Sequence, residues 1–127
     1  MATHAGSFAF EEARATLTQG VDGVWLGETR ARGPARTSSG LSATFDGRLD
    51  NRDALLRLPG MAPMRSSGDA RLALAVFERW GAEGLRRLVG DWALAVWDPA
   101  VRTLHLARDY MGARPLYYRV DGRCAAW

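Results

Sequence analysis

The sequence predicts an α+β fold of antiparallel sheets flanked by helices, and three observations lead there. Runs with strand character lie on both sides of the middle of the chain, at 41–45, 92–97 and 103–107. Between them stands one strongly amphipathic helical stretch, 69–80. The later strands are joined by short turn signals, Asp98-Pro99 and Asp121-Gly122, which suit antiparallel neighbours, whereas parallel strands need crossovers of a dozen residues or more. The order of strands, helices, then strands argues against a doubly wound parallel sheet. At 127 residues the chain makes one domain with its own core.

Each element follows from local chemistry. Residues 4–10 form a short opening strand and 11–18 have weak helical character. Asp22-Gly23 is a turn leading into a strand over 24–30, and the Gly-, Pro- and Ser-rich stretch 33–40 is a loop. The strand at 41–45 is expected to break at Asp46-Gly47. Asn51 is placed as the N-cap of a helix over 52–58, which Pro59-Gly60 ends. In the helix 69–80, Leu72, Val76 and Trp80 recur every fourth residue, and Ala73 and Phe77 widen the stripe. Gly81 stops it, and a short helix over 83–89 presents Leu85 and Leu88. The unbroken apolar run 92–97 reads as a strand buried on both faces. In 103–107, Leu104 and Leu106 face one side and His105 the other, half exposed. A final strand over 115–120 enters the Asp121-Gly122 hairpin.

Composition narrows the chemistry. All seventeen basic residues are Arg, so Schiff-base and phosphate-loop lysines are excluded. A net charge of +3 with acids interspersed does not concentrate Arg on one element as a nucleic-acid binder would. Arg30, Arg32 and Arg36 fall in a loop and read as a solvated surface. The lone Cys124 permits no internal disulfide and reads as a small apolar residue, and with only His4 and His105 no metal-ligand spacing exists. No apolar run approaches the roughly 20 residues of a membrane span, and 1–10 lacks the pattern of a secretory signal. A cytoplasmic protein with neither membrane nor nucleic-acid partner is expected.

Four stretches carry a resemblance. LARDYMGARPLYY, 106–118, is similar to an ARD-x-x-G-x-(R/K)-PLYY signature, with Arg108 and Asp109 placed to pair across its turn. FERWGAEGLRRLVGDWALAVWD, 77–98, matches a helix, a Trp-Gly corner and a buried strand. FDGRLDN, 45–51, stands where N-G-E-(I/L)-Y-N is found, and SGDAR, 67–71, resembles S-D-T-E. Together these resemble the class II, N-terminal-nucleophile glutamine amidotransferase domain of the asparagine synthetase-like family, over about two-thirds of the chain. The resemblance implies an N-terminal-nucleophile hydrolase-like layered fold and a single amidotransferase-like domain over 1–127, shortened and truncated at its C-terminal end.

The resemblance also implies a site. In active relatives the Asn side chain and the Gly N–H of N-G-E form the oxyanion hole, and the Asp of S-D-T-E holds the α-amino group of glutamine. Carried over, Asp46 and Gly47 take the oxyanion positions and Asp69 the amine-binding one. Read from the residues alone, Asp46 is a turn residue and Asp69 a first-turn helix acid. Relatives have a longer stretch than 24–40, with an arginine for the substrate carboxylate; Arg30 and Arg32 stand as alternatives for it here. Active relatives begin M-C-G-I-A-G-I-F, whereas this chain begins MATHAGSF, so Ala5-Gly6 and Phe8 keep register and Ala2 occupies the nucleophile position. A methyl group cannot attack a carboxamide.

The expectation is a degenerate amidotransferase-like domain of an asparagine synthetase-type amide-forming system, inactive alone as a glutaminase. The family as a whole is that of glutamine-hydrolysing asparagine synthases, in asparagine biosynthesis. Its ATP and Mg belong to an ATP-pyrophosphatase-type synthetase domain or subunit, the implied partner; the S-G-G-x-D-S loop of that domain is absent from this sequence. Two alternatives stand beside this reading. One is an active glutamine-hydrolysing fragment with a misassigned start. The other is a module that binds glutamine or another amino acid.

Overall fold

The computed structural model describes residues 4–9, 20–21, 24–28, 34–120 and 124–126, with side chains over 34–119. Two antiparallel sheets emerge. The first contains β1 (His4–Ala9), β2 (Gly20–Val21), β3 (Val24–Glu28), β8 (Arg119–Val120) and β9 (Cys124–Ala126), in the order β2-β3-β1-β9-β8. The second contains β4 (Ala35–Arg36), β5 (Ser42–Leu49), β6 (Gly90–Asp98) and β7 (Thr103–Arg108), in that order. Helices α1 (Arg52–Leu56) and α2 (Asp69–Gly84) stand between β5 and β6 in the chain. This is the α+β layered arrangement the sequence predicts.

The second sheet carries the core, and alternation along its strands sorts the layers. Ala43, Phe45 and Leu49 of β5 and Trp92, Leu94 and Val96 of β6 cluster with Leu72, Ala73, Val76 and Phe77 of α2. His105 of β7 shares this face, its ring edge-on to Phe77 with centroids 4.8 Å apart. Each fully buried Leu or Val here contributes roughly 1.5–3 kcal/mol. The alternate residues Ser42, Thr44 and Asp46 of β5 and Ala93, Ala95 and Trp97 of β6 are buried as well. On β5 they are polar and on β6 they are two alanines and a tryptophan, and they point away from α2. Since β5 also approaches β1 and β3 of the first sheet, this second face lies between the two sheets.

Several expectations are met closely. The break at Gly81 is real: its φ of 63° and ψ of −157° interrupt α2, and a 3-10 turn, Leu85–Arg87, follows. The run 92–97 lies inside a nine-residue strand buried on both faces. Strands β8 and β9 pair antiparallel, Arg119 with Ala126 and Val120 with Ala125. The Asp121-Gly122 and Asp22-Gly23 turns, the helix expected at 11–18, Ala2, Arg30 and Arg32 lie outside the described residues. So do the side chains of His4 and Cys124.

Four expectations are corrected. Strand β5 does not break at Asp46-Gly47 but runs through to Leu49, paired with β6 without a slip from Ser42↔Trp97 to Leu49↔Gly90. Gly47 makes this possible, because at φ 131° it brings the backbone against Asp91. Residues 33–40 are not wholly loop: Ala35 and Arg36 pair with Ala43 and Ser42. Asn51 stands at the N-cap position of a shorter helix but makes no capping hydrogen bond. Its amide instead spans to the β6 approach, donating to Arg87 O at 2.8 Å and accepting from Val89 N at 3.0 Å. The strand expected over 115–120 shrinks to Arg119–Val120, since Pro115 has no N–H to give a ladder.

Candidate functional site

The candidate residues gather along the second half of β5. Asp46 and Gly47 lie within the strand, and Asp69 opens α2 beside the strand's end. The Asp69 carboxylate accepts a hydrogen bond from Leu49 N at 2.9 Å and is ion-paired with Arg52. Arg52 in turn donates to Ser67 O at 2.7 Å. Both oxygens of Asp69 are thereby engaged in joining β5, α1 and the start of α2.

Asp46 is built differently. The carboxylate lies on the inter-sheet face, 6% exposed. Its partner is Arg114, whose guanidinium approaches to 3.8 Å. That distance gives charge compensation without a tight hydrogen bond. Charge compensation is needed, because a buried carboxylate without a counter-charge is costly. At the neighbouring position Gly47 is sterically obligatory: an added Cβ would fall 1.9 Å from Asp91 O. Its backbone conformation is therefore fixed by the approach of β6, whatever chemistry its N–H serves.

Arg114 reaches Asp46 because of Asp109. This residue follows β7 and is 5% exposed. The expected Arg108–Asp109 pair does not form among the described ion pairs; Asp109 is surrounded by backbone N–H groups instead. It accepts from Trp92 N at 3.2 Å, Ala113 N at 3.1 Å and Arg114 N at 3.5 Å. Its own N–H donates to Trp92 O at 2.9 Å, and its carbonyl accepts from Gly112 N at 3.0 Å. Burial alone would raise its carboxyl, but the N–H groups of Ala113, Trp92, Arg114 and Gly112 outweigh burial and hold it below the usual carboxylate range. Asp109 thus shapes the crossover from β7 to β8, and that crossover carries Arg114 to the inter-sheet face. Arg114 was visible in the sequence as the (R/K) of the signature, but nothing local linked it to Asp46.

No cluster of three or more His, Cys, Asp or Glu suited to a metal ion occurs among the described residues. Among the described residues no helix is long and apolar enough to cross a membrane.

The layered α+β architecture of antiparallel sheets and helices is that of an N-terminal-nucleophile hydrolase-like domain, an assignment that fits the family matched. A family described as glutamine amidotransferase domain matches residues 30–126. Over 89 residues the chain is 37% identical to putative glutamine-hydrolysing asparagine synthetases of Mycobacterium tuberculosis and Mycobacterium bovis, covering 67% of this chain and 14% of each relative. It is 33% identical over 81 residues to asparagine synthetase (glutamine-hydrolysing) 3 of Bacillus subtilis, covering 61% of this chain and 13% of that protein. The chain belongs to the glutamine amidotransferase domain family, on its asparagine synthetase-like branch, and its match spans about one-seventh of the length of these relatives.

Proposed function

We propose that this chain is an amidotransferase-fold domain whose glutaminase centre is silent, kept as a structural partner of a synthetase. The observation that carries the reading is the buried carboxylate of Asp46, paired with the partly exposed Arg114, at the strand position where active relatives place an oxyanion-hole amide. An oxyanion hole works by presenting preorganised donors to developing negative charge, and removing one donor costs about 10²–10³ in rate. A carboxylate reverses the sign of that contribution. With Ala2 in register with the family's cysteine, the domain also lacks the thiol that forms the acyl-enzyme. Two separate parts of one mechanism are altered.

In this reading Gly47 retains its backbone N–H for structural reasons, and Asp69 serves the junction of β5, α1 and α2. Carboxylate activation with ATP and Mg would belong to the synthetase domain or subunit, acting in the cytoplasm on an amine that does not come from glutamine in this pocket. The reading is tested by ammonia release from glutamine by the purified chain, beside Ala2→Cys and Ala2→Cys/Asp46→Asn variants. The wild type is expected to release none above background, and sustained turnover by it would refute the proposal.

A further inference from the structure

Three cross-strand rows define the face of the second sheet that carries Asp46. Register aligns Asp46 with Ala93 and Arg108, Thr44 with Ala95 and Leu106, and Ser42 with Trp97 and Leu104. Side chains in one row share a face of the sheet, so Arg108, Leu106 and Leu104 continue the face of Asp46 out to the edge strand β7. Two guanidiniums border this face. That of Arg114 comes no nearer to Asp46 than 3.8 Å, beyond hydrogen-bond distance, so its N–H groups keep their capacity to donate. Arg108 is exposed and makes no ion pair among the described residues. Its guanidinium lies over Gly112, where an added Cβ would fall 3.3 Å from Cζ. The crossover built around Asp109 therefore holds both cations. Of the three charges the carboxylate is innermost: Asp46 is 6% exposed, the Arg114 side chain is 29% exposed and Arg108 is open to solvent. A molecule arriving from solvent meets two cations before it meets one anion. Leu104, Leu106 and Arg108 also line an open groove of about 690 Å³.

We propose that this rim binds a small carboxylate with an aliphatic body, its charged end held by Arg108 and Arg114 and its apolar end lying along Leu106 and Leu104. Guanidinium N–H groups suit a carboxylate because two of them can meet its two oxygens. Leu106 stands two residues from Arg108, about 6.6 Å along the strand, a span that a short branched acid covers. The nearby Asp109 does not compete for the guanidiniums, because its carboxylate is turned inward onto backbone N–H groups. Asp46 does compete for Arg114, and its charge limits the affinity. An α-ammonium would bring a third cation to the two guanidiniums, so amino acids, glutamine included, are disfavoured. The site uses neither Ala2 nor the N–H of Gly47, and it stands whether or not the chain hydrolyses glutamine.

The test titrates the full chain, labelled with ¹⁵N, with isocaproate, following backbone amides and arginine Nε–H signals. Three further titrants separate the contributions. Isocaproamide removes the charge, leucine adds an ammonium to the same skeleton, and inorganic phosphate removes the apolar body. The expected result is saturable shifts from isocaproate at 104–108 and 112–114, with each other titrant weaker by about threefold or more. Arg108→Gln, an exposed substitution that leaves the core untouched, should weaken isocaproate binding about three- to tenfold. Asp46→Asn should strengthen it about two- to tenfold, because the competing anion behind Arg114 is gone. No saturable response, shifts mapping elsewhere, or amide, leucine or phosphate binding as tightly as isocaproate would overturn the proposal. So would an affinity that either substitution leaves unchanged. None of these readouts depends on glutamine hydrolysis.

Discussion

Asp46 is a buried carboxylate whose counter-charge is Arg114, and the pair makes a measurable prediction. Removing the cation by Arg114→Gln leaves a buried anion and should cost about 1–3 kcal/mol in urea unfolding, discounted for the partial exposure of Arg114. Asp46→Asn in the same background should recover most of that loss, since a neutral amide needs no counter-charge. Equal destabilisation in the single and double variants would show that the charges are not coupled. Asp109 yields a pH prediction. Its folded carboxyl lies below the ordinary value, so its contribution is present above the unfolded value and is lost as pH falls through the folded one. Asp109→Asn should therefore cost about 1–3 kcal/mol near neutral pH, with the difference from wild type closing as acid protonates Asp109. A gap that stayed constant down to the lowest accessible pH would contradict the hydrogen-bond account.

At the scale of elements, two glycines separate steric from conformational need. Gly47 is pressed against Asp91 O, while a Cβ on Gly81 would meet nothing within 4 Å although its φ is 63°. Gly81→Ala should cost about 1–3 kcal/mol from backbone strain alone. Gly47→Ala should cost more, because overpacking adds about 1–3 kcal/mol to the strain. Thermal unfolding of the two variants gives the order directly, and the reverse order would refute it. The same positions mark what the sequence disclosed. Local signals locate α2, the interruption at Gly81, and the strands around 92–97 and 103–107. Asp46-Gly47 reads locally as a breaker because that dipeptide is a turn signal, whereas pairing with β6, distant in sequence, holds the chain extended. The two-residue β4 has no alternation to read. Asn51 has the composition of a cap, but its amide is claimed by Arg87 and Val89, on a segment that only folding brings near.

For the whole molecule, the layering keeps the helix-packed core and the candidate site on opposite faces of one sheet. The α2-facing side of β5 and β6 is apolar and builds the core. The opposite face mixes Ser42, Thr44 and Asp46 with Ala93, Ala95 and Trp97, and it is there that Asp46 sits. Substitutions on that face can change chemistry while leaving the helix-packed core intact, which is how the proposed loss of glutaminase activity is compatible with the family's architecture. The motifs that made the family legible, 77–98 and 106–118, are those that place strands and corners. The candidate site was legible only as aligned positions, since the Asp46–Arg114 pair spans two sheet-to-loop connections with no sequence pattern of its own. The most direct measurement is glutamine hydrolysis by the wild-type chain, Ala2→Cys, and Ala2→Cys/Asp46→Asn, each with a free N-terminal residue 2. The account predicts a silent wild type, at most trace ammonia from the single variant, and a gain of about 10²-fold or more on adding Asp46→Asn. Turnover by the wild type, or a single variant as active as the double, would contradict it.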